Sequence, residues 1–455
     1  MPRTGPNLAL TAVLIVSCGA RSEMSDVGPR PATSGAGGAA CCADDASVAG
    51  SGGSGSVLPV PDAGADTTLD GAAGSIGTDA SDGAPAPALM LVEPVVLLQT
   101  PLGFVDSMPE LVLASVDGHR IALVLRRQAA AGNSAPHQIR HMGLEPWSNW
   151  PPSGAALQSH LTLTDAALSG HHAVGPAPGD HFSVLASKSG SSWLARSVSP
   201  DADYVGTLSE IAGEARFVSL GPSAQLVGTQ GSSSASARLT LFPTTGPSQA
   251  VEIGCGPGGT STRAVAAGTE WLVATPGYHV AVPGGCTTEA TPHVGFFRVS
   301  AAPMLLAEVP KYLSILLSAP PHFEMAPHPE GQWVVFSGGG YPRIHRRIPP
   351  SSGLDCQSLV QPGSWQGELD ADAVGGRAVA VVWTDLGAKL PRVNIDLTDE
   401  WCIPLGSKSL ERPVTGKPSV VSSPSGTGLL VAWAEDGPNP GIALARFDYH
   451  PTQSP

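Results

Sequence analysis

Charge, lysine and aromatic side chains are all scarce in this sequence. Only 14% of its 455 residues are charged and 5% are aromatic. Lysine occurs five times beside nineteen arginines, and a net charge of −14 leaves no basic face of the kind that nucleic acid requires. No Walker loop, H-E-x-x-H or G-x-S-x-G elbow occurs, so the common routes to phosphate binding, zinc hydrolysis and serine catalysis have no local signature. Cys-x-x-Cys spacing is absent as well, which argues against a zinc site. Gly254-Cys-Gly-Pro-Gly-Gly259 matches a dinucleotide loop in letters alone, because the residues after Gly259 are strand-like rather than helical. No cofactor is expected. Helical periodicity is missing too: no stretch of a dozen residues repeats apolar positions at 3.6, and 55 Gly with 44 Pro work against long helices.

What remains is organised in three parts. Leu8–Val16 is a short, mainly apolar run behind Arg3, too short to span a bilayer and suited to a signal h-region. It ends in Ile15-Val-Ser-Cys18, which resembles the bacterial lipobox. That resemblance implies a signal peptide over 1–17, a diacylglyceryl group on Cys18 and an extracytoplasmic site in the cell envelope. The Gly after Cys18 favours the outer membrane, and secretion is the alternative. Residues 18–88 are mostly Gly, Ala, Ser, Asp, Thr and Pro without one aromatic, carrying eight Asp and one Glu against two Arg. Such a segment cannot bury enough apolar surface to offset chain entropy, and reads as a disordered acidic tether. The Asp-x-Asp-x-Asp-Gly spacing of a calcium loop is not found there. The state of Cys41 and Cys42 stays open.

From Leu89 onward, short apolar and β-branched runs alternate with Gly, Pro, Ser and Asp clusters. Leu123, Leu185, Val227, Val273, Phe336, Trp383 and Trp433 mark similar runs, spaced on average about 52 residues apart. That is the length of a four-stranded blade, so residues 89–455 are expected to form one all-β propeller of about seven blades. Tandem β-sandwiches are the alternative. The final repeat holds only three strands, near 418–422, 428–434 and 441–448. The unassigned run Leu91–Leu98 is expected to supply its fourth strand and close the ring. In an oxidising compartment the cysteines of this domain should pair as Cys255–Cys286 and Cys356–Cys402.

The last two repeats, Ala380-Val-Val-Trp-Thr-Asp385 and Val431-Ala-Trp-Ala-Glu-Asp436, resemble those of sialidase-like propellers. The turn Lys188-Ser-Gly-Ser-Ser-Trp193 is similar to the family's Ser-x-Asp-x-Gly-x-x-Trp, with Lys188 in place of the Asp. The family's arginine triad and Tyr-Glu pair cannot be placed here. Asp370, Asp372, Asp385, Glu435 and Asp436 are the carboxylates a glycosidase could use, yet Asp385 and Asp436 occupy equivalent turns in successive repeats. The histidines between His137 and His181 share no metal-ligand spacing and are expected on loops or the surface. Trp271, Trp333, Trp383 and Trp433 read as core. Trp147, Trp150 and Trp365 lie in Pro/Gly/Ser-rich loops and are the candidate stacking surfaces for a glycan or peptide. The expected function is a non-catalytic binding or scaffold propeller on a flexible tether, with an envelope protein or glycan as partner. An extracytoplasmic polysaccharide hydrolase or lyase is the alternative, and it requires Asp, Glu, His and Arg to converge at a channel mouth.

Overall fold

Short runs of apolar and β-branched residues, continuous in some repeats' strands and alternating with polar residues in others, form strands, and Gly-containing turns fold consecutive runs into antiparallel sheets. A computed structural model describes residues 89–449 apart from 100–103, 116, 130–134, 166, 205–207, 233–235, 254–261, 283–284, 302–305, 315–322, 330, 339–340, 348–353, 358–367, 402 and 438. The described residues form seven four-stranded antiparallel sheets and no helix. Each sheet is a blade: blade 1 is 104–165, blade 2 is 168–212, blade 3 is 215–253, blade 4 is 263–314, blade 5 is 323–357, and blade 6 is 369–411. Blade 7 is 414–449 together with Leu89–Gln99. The seven residues that set the repeat in the sequence all fall on the second strand of their blade.

One face of such a sheet is hidden only against its neighbours. Seven apolar clusters do this, each shared by two consecutive blades, and the cluster of Leu111, Leu123, Leu125, Leu430 and Leu444 joins blade 7 back to blade 1. The first strand of each blade touches the first strand of the next all the way round. The protein is a β-propeller; paired sandwiches would leave these shared faces apart. Trp271, Trp333, Trp383 and Trp433 are fully buried, in the core as expected.

Closure takes the expected route. Leu89–Gln99 pairs antiparallel with Gly441–Tyr449, from Leu89 opposite Tyr449 to Gln99 opposite Gly441. The register slips between Val92 and Val96, where Pro94 has no N–H to give to the ladder. Gly441 is required at the far end: a Cβ there would meet the Leu98 carbonyl oxygen at 2.3 Å.

Candidate functional site

The first strands of the blades surround the axial channel, and as sheet edges they present unpaired main-chain groups. Their side chains converge on a cavity of about 190 Å³. Going round the ring, blade 1 contributes Glu110, blade 3 Arg216, blade 4 Arg263, blade 5 Glu324, blade 6 Asp370 and blade 7 Lys417 with Ser419. Three cations thus face three carboxylates.

Glu324 is the hub. It accepts a two-pronged bond from Arg263, Nε to Oε2 at 2.6 Å and Nη2 to Oε1 at 2.9 Å. Lys417 Nζ, from blade 7, donates to the same Oε1 at 2.6 Å. Burial pushes this carboxyl up, but Arg263 and Lys417 override it and hold the group at about 2. Arg263 also donates to the Arg216 carbonyl at 3.2 Å, tying blade 4 to blade 3.

The other carboxyls stitch edge strands together. Glu110 accepts the Val174 N–H of blade 2 at 3.0 Å. Asp370 accepts the Val420 N–H at 2.8 Å and the Ser419 hydroxyl at 2.9 Å. Asp372 takes the Ser422 N–H at 2.7 Å and its hydroxyl at 2.9 Å. Ser419 in turn accepts the Leu111 N–H at 3.0 Å. Blades 6, 7, 1 and 2 are therefore sewn together through acceptors that answer edge-strand donors. A register slip between Ser107 and Glu110, with Met108 at φ 55°, sets the direction in which Glu110 points.

Burial pushes Glu110 up to about 7, against the pull of Lys417 and Arg263. Asp370 and Asp372 are each pushed up to about 6, again by burial. A carboxyl whose folded value lies above its unfolded one stabilises fully below the unfolded value, and that stability disappears as pH rises through the folded value. For these three the window runs from about pH 4 to about pH 7. The histidines work in the opposite sense. Burial depresses His172 to about 3 and His141 to about 4, so their contribution is complete above 6.5 and lost as pH falls toward those values. We predict that Glu110→Gln gains on the wild type by about 2–3 kcal/mol between pH 5 and pH 8. Urea titrations of both proteins at the two pH values check this; a difference that does not change with pH contradicts it.

Those two histidines correct the expectation of loop or surface placement. His141 is fully buried, with its ring nitrogens on Thr162 Oγ1 at 2.6 Å and the Ser199 carbonyl at 2.9 Å. His172 is also buried, in the inner strand of blade 2. Among the described residues no group of His, Cys, Asp and Glu is arranged to hold a metal.

Sequence reasoning points to Asp370 and Asp372 and misses Glu110, Arg216, Arg263, Glu324 and Lys417. A signal exists: Glu110, Arg216, Arg263 and Glu324 each lie 10 to 13 residues ahead of their repeat's marker, and Lys417 lies 16 ahead of Trp433. Asp385 is structural, as expected of a repeat position, and the candidate carboxylate Glu435 is structural too. Asp385 caps a turn by accepting the Gly387 and Ala388 N–H groups at 3.2 and 3.1 Å. Glu435 receives the Trp433 indole N–H at 3.0 Å and Arg412 Nε at 2.6 Å. The 188–193 turn joins the second and third strands of blade 2, with Lys188 paired to Glu210 at 2.8 Å and Gly190 at φ 76°.

Trp147 and Trp150 belong to the loop after the third strand of blade 1, and both are half-buried against the cluster joining blades 7 and 1. The Trp150 indole donates to the Val92 and Pro94 carbonyls at 3.0 and 3.1 Å, and Trp147 donates to the Gly118 carbonyl at 3.1 Å. The loop is a clasp on the closing strand, and a ligand would meet only ring faces. Trp365, Cys18, Cys41, Cys42, Cys255 and Cys402 lie outside the described residues, as do the side chains of Cys286 and Cys356.

No protein-family model matches the chain, and no curated protein does. Among solved structures it is similar to prolyl oligopeptidase B from Galerina marginata, with 10% identity, 75% of this chain and 48% of that one covered, and a TM-score of 0.46. The chain spans about half the length of that protein. It is also similar to the GH93 α-L-arabinofuranosidase of Fusarium graminearum, with 11% identity, 78% and 97% covered and a TM-score of 0.42. The NanB sialidase of Streptococcus pneumoniae shows 9% identity, 78% and 70% covered and a TM-score of 0.41. With every TM-score below 0.5, these likenesses support neither a fold nor a function, and the propeller rests on its own seven sheets.

Proposed function

We propose that this chain is a cell-envelope lipoprotein, anchored through lipid on Cys18, whose propeller binds or scaffolds another envelope component without catalysis. One observation carries the non-catalytic reading: the channel carboxyls are committed to neighbouring blades. Glu324 is held by Arg263 and Lys417, and Glu110, Asp370 and Asp372 accept main-chain N–H groups across blade boundaries. A carboxyl that secures an edge strand is poorly placed to exchange protons with a substrate. The lipobox-like residues before Cys18 support the anchor, and the acidic 18–88 segment supports display at a distance from it. Two or three acyl chains, at about 0.8 kcal/mol per buried methylene, suffice for stable attachment. A glycan or an envelope protein is the partner class.

The anchor is tested by expressing the full chain with radiolabelled palmitate. Label is expected on the wild type and absent from Cys18→Ser, which should move from the membrane to the soluble fraction. Label that survives the substitution rejects the anchor.

A second reading, a polysaccharide hydrolase or lyase, is favoured by one feature. Glu110, held near pH 7, shares the channel with ionised Glu324, the paired states that an acid and its partner carboxylate need. Release of reducing ends from envelope polysaccharides, abolished in a folded Glu110→Gln variant, would establish it in place of the binding role.

A further inference from the structure

Two of the channel carboxyls hold the ring with one oxygen and leave the other idle. Glu110 accepts the Val174 N–H on Oε2, and Asp370 accepts both the Val420 N–H and the Ser419 hydroxyl on Oδ2. Among the described residues, Glu110 Oε1 and Asp370 Oδ1 have no hydrogen-bond partner. Lys417 Nζ carries three hydrogens and gives one to Glu324. The other two have no acceptor among the described residues. All three side chains line the cavity of about 190 Å³. That space holds about six waters at about 30 Å³ each, the bulk of one sugar unit.

Charge decides what fits. The lining sets Arg216, Arg263 and Lys417 against Glu110, Glu324 and Asp370. With all six ionised the charges cancel, so a cationic guest meets three cations and an anionic guest three carboxylates. A hydroxyl brings no charge, and it donates and accepts at once. It therefore suits a place where two idle acceptors and an ammonium share one wall. It also suits Glu110 in both of its states near neutral pH, giving a proton to the carboxylate or taking one from the acid. Phe217 and Met325 add apolar surface to the lining, on which the C–H face of a ring can rest. We propose that the channel cavity binds one neutral sugar unit, whose hydroxyls donate to Glu110 Oε1 and Asp370 Oδ1 and accept from Lys417 Nζ. This rests on the binding reading above and gives it a site and a ligand class. The bonds that join the blades stay in place throughout.

Saturation-transfer NMR of the full chain with glucose, galactose and mannose, at about pH 8 so that both carboxyls are ionised, tests it. At least one hexose should bind saturably. Its uronate and its 6-amino-6-deoxy analogue, charged in opposite senses at the same carbon, should each bind at least tenfold more weakly. Glu110→Gln and Asp370→Asn each keep a carbonyl oxygen for the edge-strand donors and replace the idle oxygen with an NH2 group. Each is expected to weaken the hexose about tenfold, the loss of one bond to a charged group. Ala264→Leu, at a half-buried position in the lining, shrinks the cavity and should weaken it at least as much, which decides the matter if neither carboxyl variant folds. Methyl glycosides of the same hexoses separate a chain end from a free sugar, and binding in either form supports the site. The proposal is overturned if no hexose binds in either form, or if the charged analogues bind as tightly. It is also overturned if the folded variants bind hexose like the wild type, and in that case sugar is held elsewhere and the binding role itself survives.

Discussion

Removal of Leu89–Gln99 is expected to abolish the cooperative melting of the propeller. This strand completes blade 7 by pairing with Gly441–Tyr449, and it reaches the clusters on both sides of that blade. Leu89, Leu91, Val95 and Leu97 pack toward blade 6, while Val96 and Leu98 pack toward blade 1. A fully buried aliphatic side chain contributes about 1.5–3 kcal/mol, and most of these are half-buried, so the group amounts to several kcal/mol. Domains are stable by only about 5–15 kcal/mol in total. The loss is worse than the sum, because the Gly441–Tyr449 strand becomes an open edge and the Trp150 indole loses its acceptors at Val92 and Pro94. A chain starting at residue 100 should show no sharp thermal transition by circular dichroism and should aggregate. Cooperative melting within a few degrees of the full chain would show that the ring does not depend on this strand.

Arg263→Leu should have the second largest effect, a loss of about 3 kcal/mol, because it takes the two-pronged partner from a buried carboxylate and leaves it one cation. Glu324 would be left with Lys417, and the Arg216 carbonyl would lose its donor. The triple variant Arg263→Leu/Glu324→Leu/Lys417→Met should recover part of that loss, since removing all the paired charges together is far cheaper than removing one. The pH dependence supplies a second check. Glu324 is held at about 2, below its ordinary value of 4.5, so its stabilisation is present above about 4.5 and lost as pH falls toward 2. In Arg263→Leu much of that acid-dependent loss should disappear. Chemical denaturation at pH 7 and pH 3 measures both effects. If the triple variant were less stable than Arg263→Leu, the channel charges would have to contribute net stability and not merely mutual compensation.

The ring is legible in the sequence, and the channel is not. Second strands are buried on both faces, so Leu185, Val227 and Trp383 sit in apolar runs that stand out from the turns around them. Their recurrence, about 52 residues apart on average, announces repetition, and a three-stranded final repeat beside an unassigned first strand announces closure. Glu110 and Lys417 carry no such mark. They lie three hundred residues apart in the chain and become neighbours only once the ring has closed. Charges on an edge strand look like solvated positions when only one repeat is in view. The burial of His141 is hidden for a related reason: its partner Ser199 lies in the next blade, where no local pattern could foretell it. Trp147 and Trp150 sit in a loop rich in Pro and Ser, and composition does not reveal that the loop folds back on the closing strand.

Amide hydrogen exchange of the full chain, read peptide by peptide, tests the closed ring most directly. Leu89–Gln99 and Gly441–Tyr449 should be protected together, and to the same degree as the equivalent outer pair of blade 6, Pro404–Glu411 with Arg392–Asp399. Exchange of Leu89–Gln99 within seconds, while Gly441–Tyr449 stays protected, would mean that the first strand is not part of the last blade.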